Sequence, residues 1–401
     1  MGSASPPPHA LVFGASGING WAFVNALLND YPSADAFQHV TAFTNRPLNA
    51  KDAQWPASSK LQLVSGLDLV GNDEAGLQDE LQKRVPHIEG VTAIYFCAYV
   101  FDSDNAREID INVGMLKKVV LAVEKLCVNL KVVALPTGVK EYGVHLLEKF
   151  PFADNLPLKE THPPLPEPYR SELFYTYQLD FLRTTSANKN WTHVDVRPDI
   201  IIGFVPNNSL HNLAQWIVLY LALFRYIHGP GTEAIFPGTA KSWKALSNNS
   251  SQDMIARFCI HLSLHTEEPG IAGGSFNVSD NAVPSSWEEK WPVLCEYFGL
   301  KGVGPVEGGP EAAAFLEEHR DDWARMEKEY GLRTGHHHGK GDDKSLPFVP
   351  FFLLSQFDFD RQVDLTRMHA AWGPAKEERD IKTTWYTTFE RYRTAGIIPS
   401  F

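Results

Sequence analysis

The stretch Ala10-Leu-Val-Phe-Gly-Ala-Ser-Gly-Ile-Asn-Gly-Trp-Ala-Phe23 constrains the fold more than any other part of this chain. Four apolar residues run into a turn with glycines at 14, 17 and 20, and a helix-compatible run, 21–28, follows at once. That pattern describes a buried strand, a tight turn, and a helix whose free amides face back over the turn. Unpaired N–H groups and the helix dipole make such a helix start an anion site. Gly14 permits the turn, Gly17 lets backbone approach a pyrophosphate, and Gly20 lets helix and strand pack closely. Ser16, Ile18 and Asn19 complete the loop. The spacing is G-x-x-G-x-x-G, so the turn alone does not separate a dinucleotide site from a plain strand–helix connection.

The order of the following segments does separate them. Apolar runs predict strands at 39–44, 61–65, 91–98, 130–135 and 191–196, with helices over 112–126 and 172–185 between them. This alternation predicts a doubly wound parallel α/β sheet of Rossmann type, which binds ligands beyond the carboxyl ends of its strands. At the end of the second strand no acidic residue is present; Arg46 stands there beside Asn45. An acidic side chain would accept from a ribose 2′-hydroxyl, whereas a cation suits a 2′-phosphate, so NADPH is expected rather than NADH. Asp68, followed by Leu69 after the third strand, is a candidate acceptor for the adenine amino group.

Beyond residue 205 the alternation stops, and segments rich in Trp, Phe, Pro and Gly mix with helices. Residues 1–8 are expected to be a disordered lead-in, 9–205 the nucleotide-binding part, and 206–401 a smaller, mostly helical substrate-covering region. One strand, at about 275–279, would return from that region to the sheet. The apolar run 213–224 is too short to cross a bilayer and is expected to be a buried or cavity-lining helix. A net charge of −12 argues against nucleic acid or an anionic membrane as partner. The N-terminus lacks a basic, apolar leader and the four cysteines are scattered, so a cytoplasmic protein with reduced thiols is expected. His336, His337 and His338 lie in a polar, Gly-flanked stretch and are expected to form a surface loop, not a metal site.

Reduction of a carbonyl compound needs a group that stabilises negative charge on the substrate oxygen. The helix Glu172-Leu-Phe-Tyr-Thr-Tyr-Gln-Leu-Asp-Phe-Leu-Arg183 carries no Y-x-x-x-K; instead a lysine follows strand five, in Pro136-Thr-Gly-Val-Lys-Glu-Tyr-Gly143. With Gly14–Gly20, Thr44-Asn-Arg-Pro47, Phe174–Asp180, Val196-Arg-Pro-Asp-Ile-Ile-Ile-Gly-Phe204, Phe236-Pro-Gly, Phe276-Asn-Val and Asp358-Phe-Asp-Arg361, the chain resembles the progesterone 5β-reductase/iridoid synthase-like group of atypical extended short-chain dehydrogenases. Ser242-Trp-Lys-Ala-Leu-Ser-Asn248 and Trp287-Glu-Glu-Lys-Trp291 resemble its fungal members.

The resemblance implies NADPH-dependent reduction, commonly of the carbon–carbon double bond of an enone, with a tyrosine hydroxyl at the enolate oxygen and the motif lysine, here Lys140, assisting. It also implies that backbone near Pro198, Ile200 and Ile201 docks the nicotinamide carboxamide. Tyr99, Phe101, Tyr142 and Trp243 are candidate walls of an apolar substrate pocket. The tyrosine departs from the family pattern: counting back four from Asp180 reaches Thr176, between Tyr175 and Tyr177. Successive helical residues point about 100° apart, so a register shift is needed to bring either tyrosine to the oxygen. The expected partner is an apolar, carbonyl-bearing small molecule, with a homodimer as the candidate assembly. Two other readings remain open at this point: a non-redox isomerase, cyclase or retro-aldol enzyme using Lys140 to polarise a carbonyl, and a non-enzymatic nucleotide sensor.

Overall fold

A computed structural model describes residues 6–206, 212–309, 311–333 and 352–401. The first five residues of the expected lead-in and the His336–His338 stretch lie outside the described residues. Seven strands form one sheet: β1 (His9–Phe13), β2 (His39–Thr44), β3 (Leu61–Ser65), β4 (Val91–Phe96), β5 (Val132–Pro136), β6 (Thr192–Pro198) and β7 (Ser275–Val278). Their order is β3-β2-β1-β4-β5-β6-β7, and every pairing is parallel. The order reverses between β1 and β4, and at such a switch point the carboxyl-end loops part into a crevice.

The first half carries α1 (Ile18–Leu28), α2 (Glu74–Arg84), α3 (Asn105–Leu126) and α4 (Phe174–Ser186). The second half adds α5 (Leu213–His228), the short α6 (Ala240–Lys244), α7 (Gln252–Leu264) and α8 (Trp287–Tyr297). Alternation along each strand divides the core. Leu11 and Phe13 of β1 pack with Leu116 and Val120 of α3, while Ala10 and Val12 face the other way, into a cluster with Phe23 of α1 and Phe258 of α7. Tyr95 of β4 and Ser263 of α7 share a buried hydroxyl–hydroxyl hydrogen bond of 2.7 Å across that second face.

Two elements differ from the sequence expectation for one physical reason. Helix α3 begins at Asn105, seven residues before the apolar periodicity, because the Asp104 carboxylate accepts from the amides of Ala106 and Arg107. Helix α2, not anticipated at all, is polar almost throughout and starts where Asp73 accepts from Gly76 N–H. The run 213–224 lies in α5, whose side chains from Leu213 to Leu223 are buried. Among the described residues no helix is long and apolar enough to cross a membrane. The four cysteines are free thiols, three of them buried.

The region after 205 packs around aromatic side chains: Phe236 meets Trp243 at 5.1 Å and Trp291 at 5.5 Å between ring centroids. Buried charge ties it to the sheet. Arg361 Nε donates to Asp199 Oδ2 at 2.9 Å just past β6, and both side chains are almost fully enclosed. Asp253 of α7 accepts a two-pronged bond from Arg391, at 2.9 Å to each oxygen, and a further one from Arg379.

Candidate active site

The glycine turn lies at the carboxyl end of β1, beside the switch point. Gly14 has φ +81°, a conformation that disfavours L side chains, and a Cβ there would stand 2.6 Å from the Cys97 carbonyl of the neighbouring loop. A Cβ on Gly20 would come within 2.2 Å of Gly14 O, so only glycine allows α1 to close on the turn. The amides of Gly14 and Ala15 both donate to Phe43 O, at 3.2 and 2.9 Å, and Gly17 N–H donates to Gly14 O. Helix bonding starts with Trp21 N–H donating to Gly17 O, and no side chain caps the helix. The amides of Ile18, Asn19 and Gly20 therefore have no partner in the helix itself and are available to an anion. Asn19 Oδ1, buried and without a partner among the described residues, lies in the same turn. Ser16 is half-buried within it. A cradle that a Cβ would fill, lined by amide donors free of helix partners, fits the pyrophosphate of a dinucleotide.

Asn45 and Arg46 are exposed at the end of β2. Thr44 behind them donates to Ser65 Oγ at 3.1 Å, and its carbonyl accepts from Gly66 N–H, which fixes the β2 and β3 ends together. Asp68 is exposed; its Oδ1 accepts from Val70 and Gly71 N–H, both at 2.9 Å, and these bonds hold its carboxyl below the usual range. Leu69 next to it is buried. Pro198 ends β6 opposite Val278, Ile200 is half-buried, and Ile201 pairs with Ser250 in a short parallel ladder.

At the end of β5, residues 139–142 form a single tight turn that carries Lys140 half-buried. Among the described residues its Nζ has no hydrogen-bond partner. Burial lowers the ammonium below the usual lysine value, and the Glu108 carboxylate of α3 acts against that fall. Tyr175, near the start of α4, reaches the same loop: its hydroxyl donates to Thr137 O at 3.2 Å. Burial holds this phenol above its ordinary value, so it stays protonated at neutral pH. Thr176 donates to Arg170 O and faces a different cavity, of about 270 Å³, bordered by Glu141, Asp180, Asp195 and Arg197. Tyr177 is turned outward and donates to Ser171 O at 3.1 Å.

Of the expected pocket aromatics, Tyr99 and Phe101 stand on the loop after β4, with Phe101 57 % exposed. Tyr99 stacks on Phe174 with centroids 5.5 Å apart, and its hydroxyl donates to Glu108 Oε1 at 2.5 Å. Tyr142 is buried and donates to Asn277 Oδ1 at 2.7 Å, which ties the Lys140 turn to β7. Trp243 sits in the aromatic core of the second half.

Two residues near Lys140 went unnoticed in the sequence. Glu108 is a buried carboxylate in the first turn of α3. His145 follows Lys140 on the next turn; its Nδ1 is buried without a partner among the described residues, and burial together with the Lys140 ammonium pushes its imidazole down to about 4. Leu147, two residues on, has φ +54° and ψ −117°, a strained backbone of the kind found at functional sites. A carboxylate at a helix start and a histidine in a loop have no local signature, because their role depends on contacts made across the fold.

A doubly wound parallel sheet with a glycine cradle at its switch point is the scaffold of the short-chain dehydrogenase class. Within that class the chain belongs to the PRISE-like Rossmann-fold family, whose domain model matches residues 10–399. It is 33% identical over 398 residues to "Short chain dehydrogenase sirQ" of Leptosphaeria maculans, covering 97% of both chains. It is 28% identical over 334 residues to "(S)-8-oxocitronellyl enol synthase ISY1" of Nepeta racemosa, covering 81% of this chain and 78% of that one. Among solved structures, RMD from Pseudomonas aeruginosa complexed with NADPH superposes with a TM-score of 0.57 at 14% identity, covering 96% of this chain and 99% of that one, a likeness of fold.

Proposed function

We propose that the protein is an NADPH-dependent reductase of apolar small molecules carrying an enone or enal, or a related carbonyl. The observation that carries this reading is the half-buried Lys140 ammonium, without a hydrogen-bond partner among the described residues, on the same β5 loop that the Tyr175 hydroxyl reaches. An unpartnered donor beside a phenol at the carboxyl edge of such a sheet suits an oxygen that gains negative charge. When bound, the dinucleotide supplies the hydride. The amides after Gly17 hold its pyrophosphate, and Arg46 at the end of β2 suits a 2′-phosphate. Lys140 binds the substrate oxygen, and Tyr175 turns its O–H from Thr137 O towards that oxygen as charge develops. Tyr99 and Phe101 shield the reacting carbons from water. The product name of the relative from Nepeta racemosa, an enol, agrees with chemistry in which an enol or enolate oxygen must be stabilised.

The test is to mix purified protein with NADPH and a panel of enones, enals and simple ketones, following 340 nm absorbance and product mass. NADPH loss matched by a gain of two hydrogens on the organic product supports the reading. Product without NADPH loss, or cofactor binding with no turnover on any substrate, overturns it. Tyr175→Phe is expected to lower kcat about a hundredfold, whereas Tyr177→Phe leaves it unchanged; the reverse pattern would move the phenol's role to Tyr177. Arg46→Glu is expected to weaken NADPH at least tenfold more than NADH, about 1.4 kcal/mol of discrimination. Equal weakening in a titration of both nucleotides would remove the 2′-phosphate role from this residue.

A further inference from the structure

We infer that Arg197 is a positioning residue of this site: its guanidinium fastens the turn that presents Lys140 to β6 and β7, and its charge keeps Glu141 seated in that turn. This rests on the reading of Lys140 as the group that meets the substrate oxygen. Lys140 Nζ has no hydrogen-bond partner among the described residues, so the side chain does not hold itself in place. Its position is inherited from the backbone of residues 139–142, and that backbone is held through its neighbours.

Val194 and Val196 of β6 point into the core beneath α7, so His193, Asp195 and Arg197 face the other way, towards α4. There the Arg197 side chain is 12% exposed. Its Nε donates to Asp195 Oδ2 at 3.0 Å and its Nη2 to Ser275 Oγ of β7 at 3.2 Å, which fixes the guanidinium to both strands. From that anchor it meets the turn twice. Nη2 stands 3.6 Å from Glu141 Oε2, and Nη1 donates to the Tyr142 hydroxyl at 3.5 Å, with the guanidinium carbon 5.4 Å from the Tyr142 ring centre. Asp195 adds a third tie by accepting from Thr137 Oγ1 at 3.4 Å, and Thr137 O is the carbonyl that Tyr175 reaches. The lysine turn and the tyrosine contact thus share one anchorage.

Two carboxyl groups share this one cation unequally. Asp195 takes the shorter bond from Arg197 and further ones from Ser275 and Thr137. Glu141 has the longer contact, and its Oε1 is buried without a partner among the described residues. Burial pushes the Glu141 carboxyl up to about 7; the Arg197 cation acts against that rise, Asp195 and Asp180 add to it, and Arg170 opposes it. Arg183 of α4, His193 of β6, and Glu160 and His162 of the loop between β5 and α4 border the same cavity. A carboxyl held above its ordinary value in the closed turn favours opening as it ionises, because water solvates the anion better. The tendency of the turn to open therefore grows with pH up to about 7 and is level beyond. Arg197 sets where that growth stops. Without its cation the enclosed carboxyl titrates higher, and the turn loses more of its hold on Lys140 at alkaline pH.

The experiment follows hydrogen exchange of the peptide spanning residues 137–143 by mass spectrometry from pH 6 to 9, divided by the chemical exchange rate at each pH. The Glu141 and Gly143 amides, bonded to Gly138 O and Lys140 O, report opening of the turn and need no turnover. In wild type the corrected rate is expected to rise to about pH 7 and then level. In Arg197→Met the rise continues about one unit further. Above pH 8 the turn then opens about tenfold more than the difference at pH 6 accounts for, while peptides from β1 and α1 match wild type. Arg197→Lys, which keeps the cation, levels near the wild-type pH, and Glu141→Gln shows no rise. Where a substrate is turned over, kcat of Arg197→Met falls between pH 7 and 8 relative to wild type, and KM changes less than kcat. Exchange in Arg197→Met raised by the same factor at every pH would mark a packing role only and overturn the inference, as would exchange unchanged from wild type. A rise that persists in Glu141→Gln also overturns it, including where Arg197→Met does not fold. Absence of any NADPH oxidation would instead overturn the reductase reading and leave the exchange result standing.

Discussion

Gly20→Ala is expected to remove dinucleotide binding while leaving the sheet folded. The added methyl would need to occupy a point 2.2 Å from Gly14 O and 2.8 Å from the Ala15 Cα, and both are backbone atoms of the turn itself. Neither can swing aside as a flexible side chain could. Gly14 cannot retreat, because its own Cβ position is closed by the Cys97 carbonyl, and its N–H is bonded to Phe43 O. The start of α1 must therefore move off the turn, which withdraws the amides of residues 18–20 from the anion. A loss of at least about a hundredfold in NADPH affinity, near 2.7 kcal/mol, is expected. Titration by fluorescence, with circular dichroism to confirm the fold, checks it. Affinity within threefold of wild type would mean that the pyrophosphate is not held at this turn.

The second large effect belongs to Lys140. Lys140→Met keeps the length and apolar stem of the side chain and removes the ammonium. Because Nζ has no partner among the described residues, the substitution breaks no internal bond, so stability and NADPH affinity should stay close to wild type. Turnover should fall by about 10²–10³-fold, the usual cost of losing one preorganised donor to a developing oxyanion. Steady-state kinetics of an enone, with NADPH binding measured separately, distinguishes this from a binding defect. A variant that retains more than a third of wild-type kcat would show that the substrate oxygen lies elsewhere.

The sheet was legible because its strands are apolar runs, and β1 to β6 fall within two residues of the runs that announced them. Helix α2 and the first two turns of α3 were not, since their stability begins with the caps Asp73 and Asp104 and not with an apolar stripe. The glycine turn was legible as chemistry because each glycine answers a local steric demand. The tyrosine was harder. Counting from Asp180 selects Thr176, but the direction of a helical side chain is set by what the helix packs against. Here Phe174 lies on Tyr99, and Gln178 donates to Asn112 O at 3.0 Å, so the face carrying residues 174 and 178 turns inward. Tyr175 lies beside that face and reaches Thr137 O, while Thr176 is rotated towards the other cavity. Glu108 stood out only once the fold set its carboxylate against the Tyr99 hydroxyl, and His145 only once its imidazole was enclosed.

Helix α7 has a consequence for how such a protein can be cut and recombined. It comes from the second half of the chain, yet it roofs one face of the sheet beside α1 and bonds to Tyr95 of β4, while its Asp253 grips two arginines near the C-terminus. A chain ended after β6 would leave Val194 and Val196 of β6 bare on that face and would lose β7 from the sheet edge. The nucleotide cradle is thus not a detachable module with a lid appended. A chimera that exchanges the second halves of two relatives must keep α7 and β7 with the parental sheet, so the natural seams lie on either side of those two elements and not at the midpoint of the sequence.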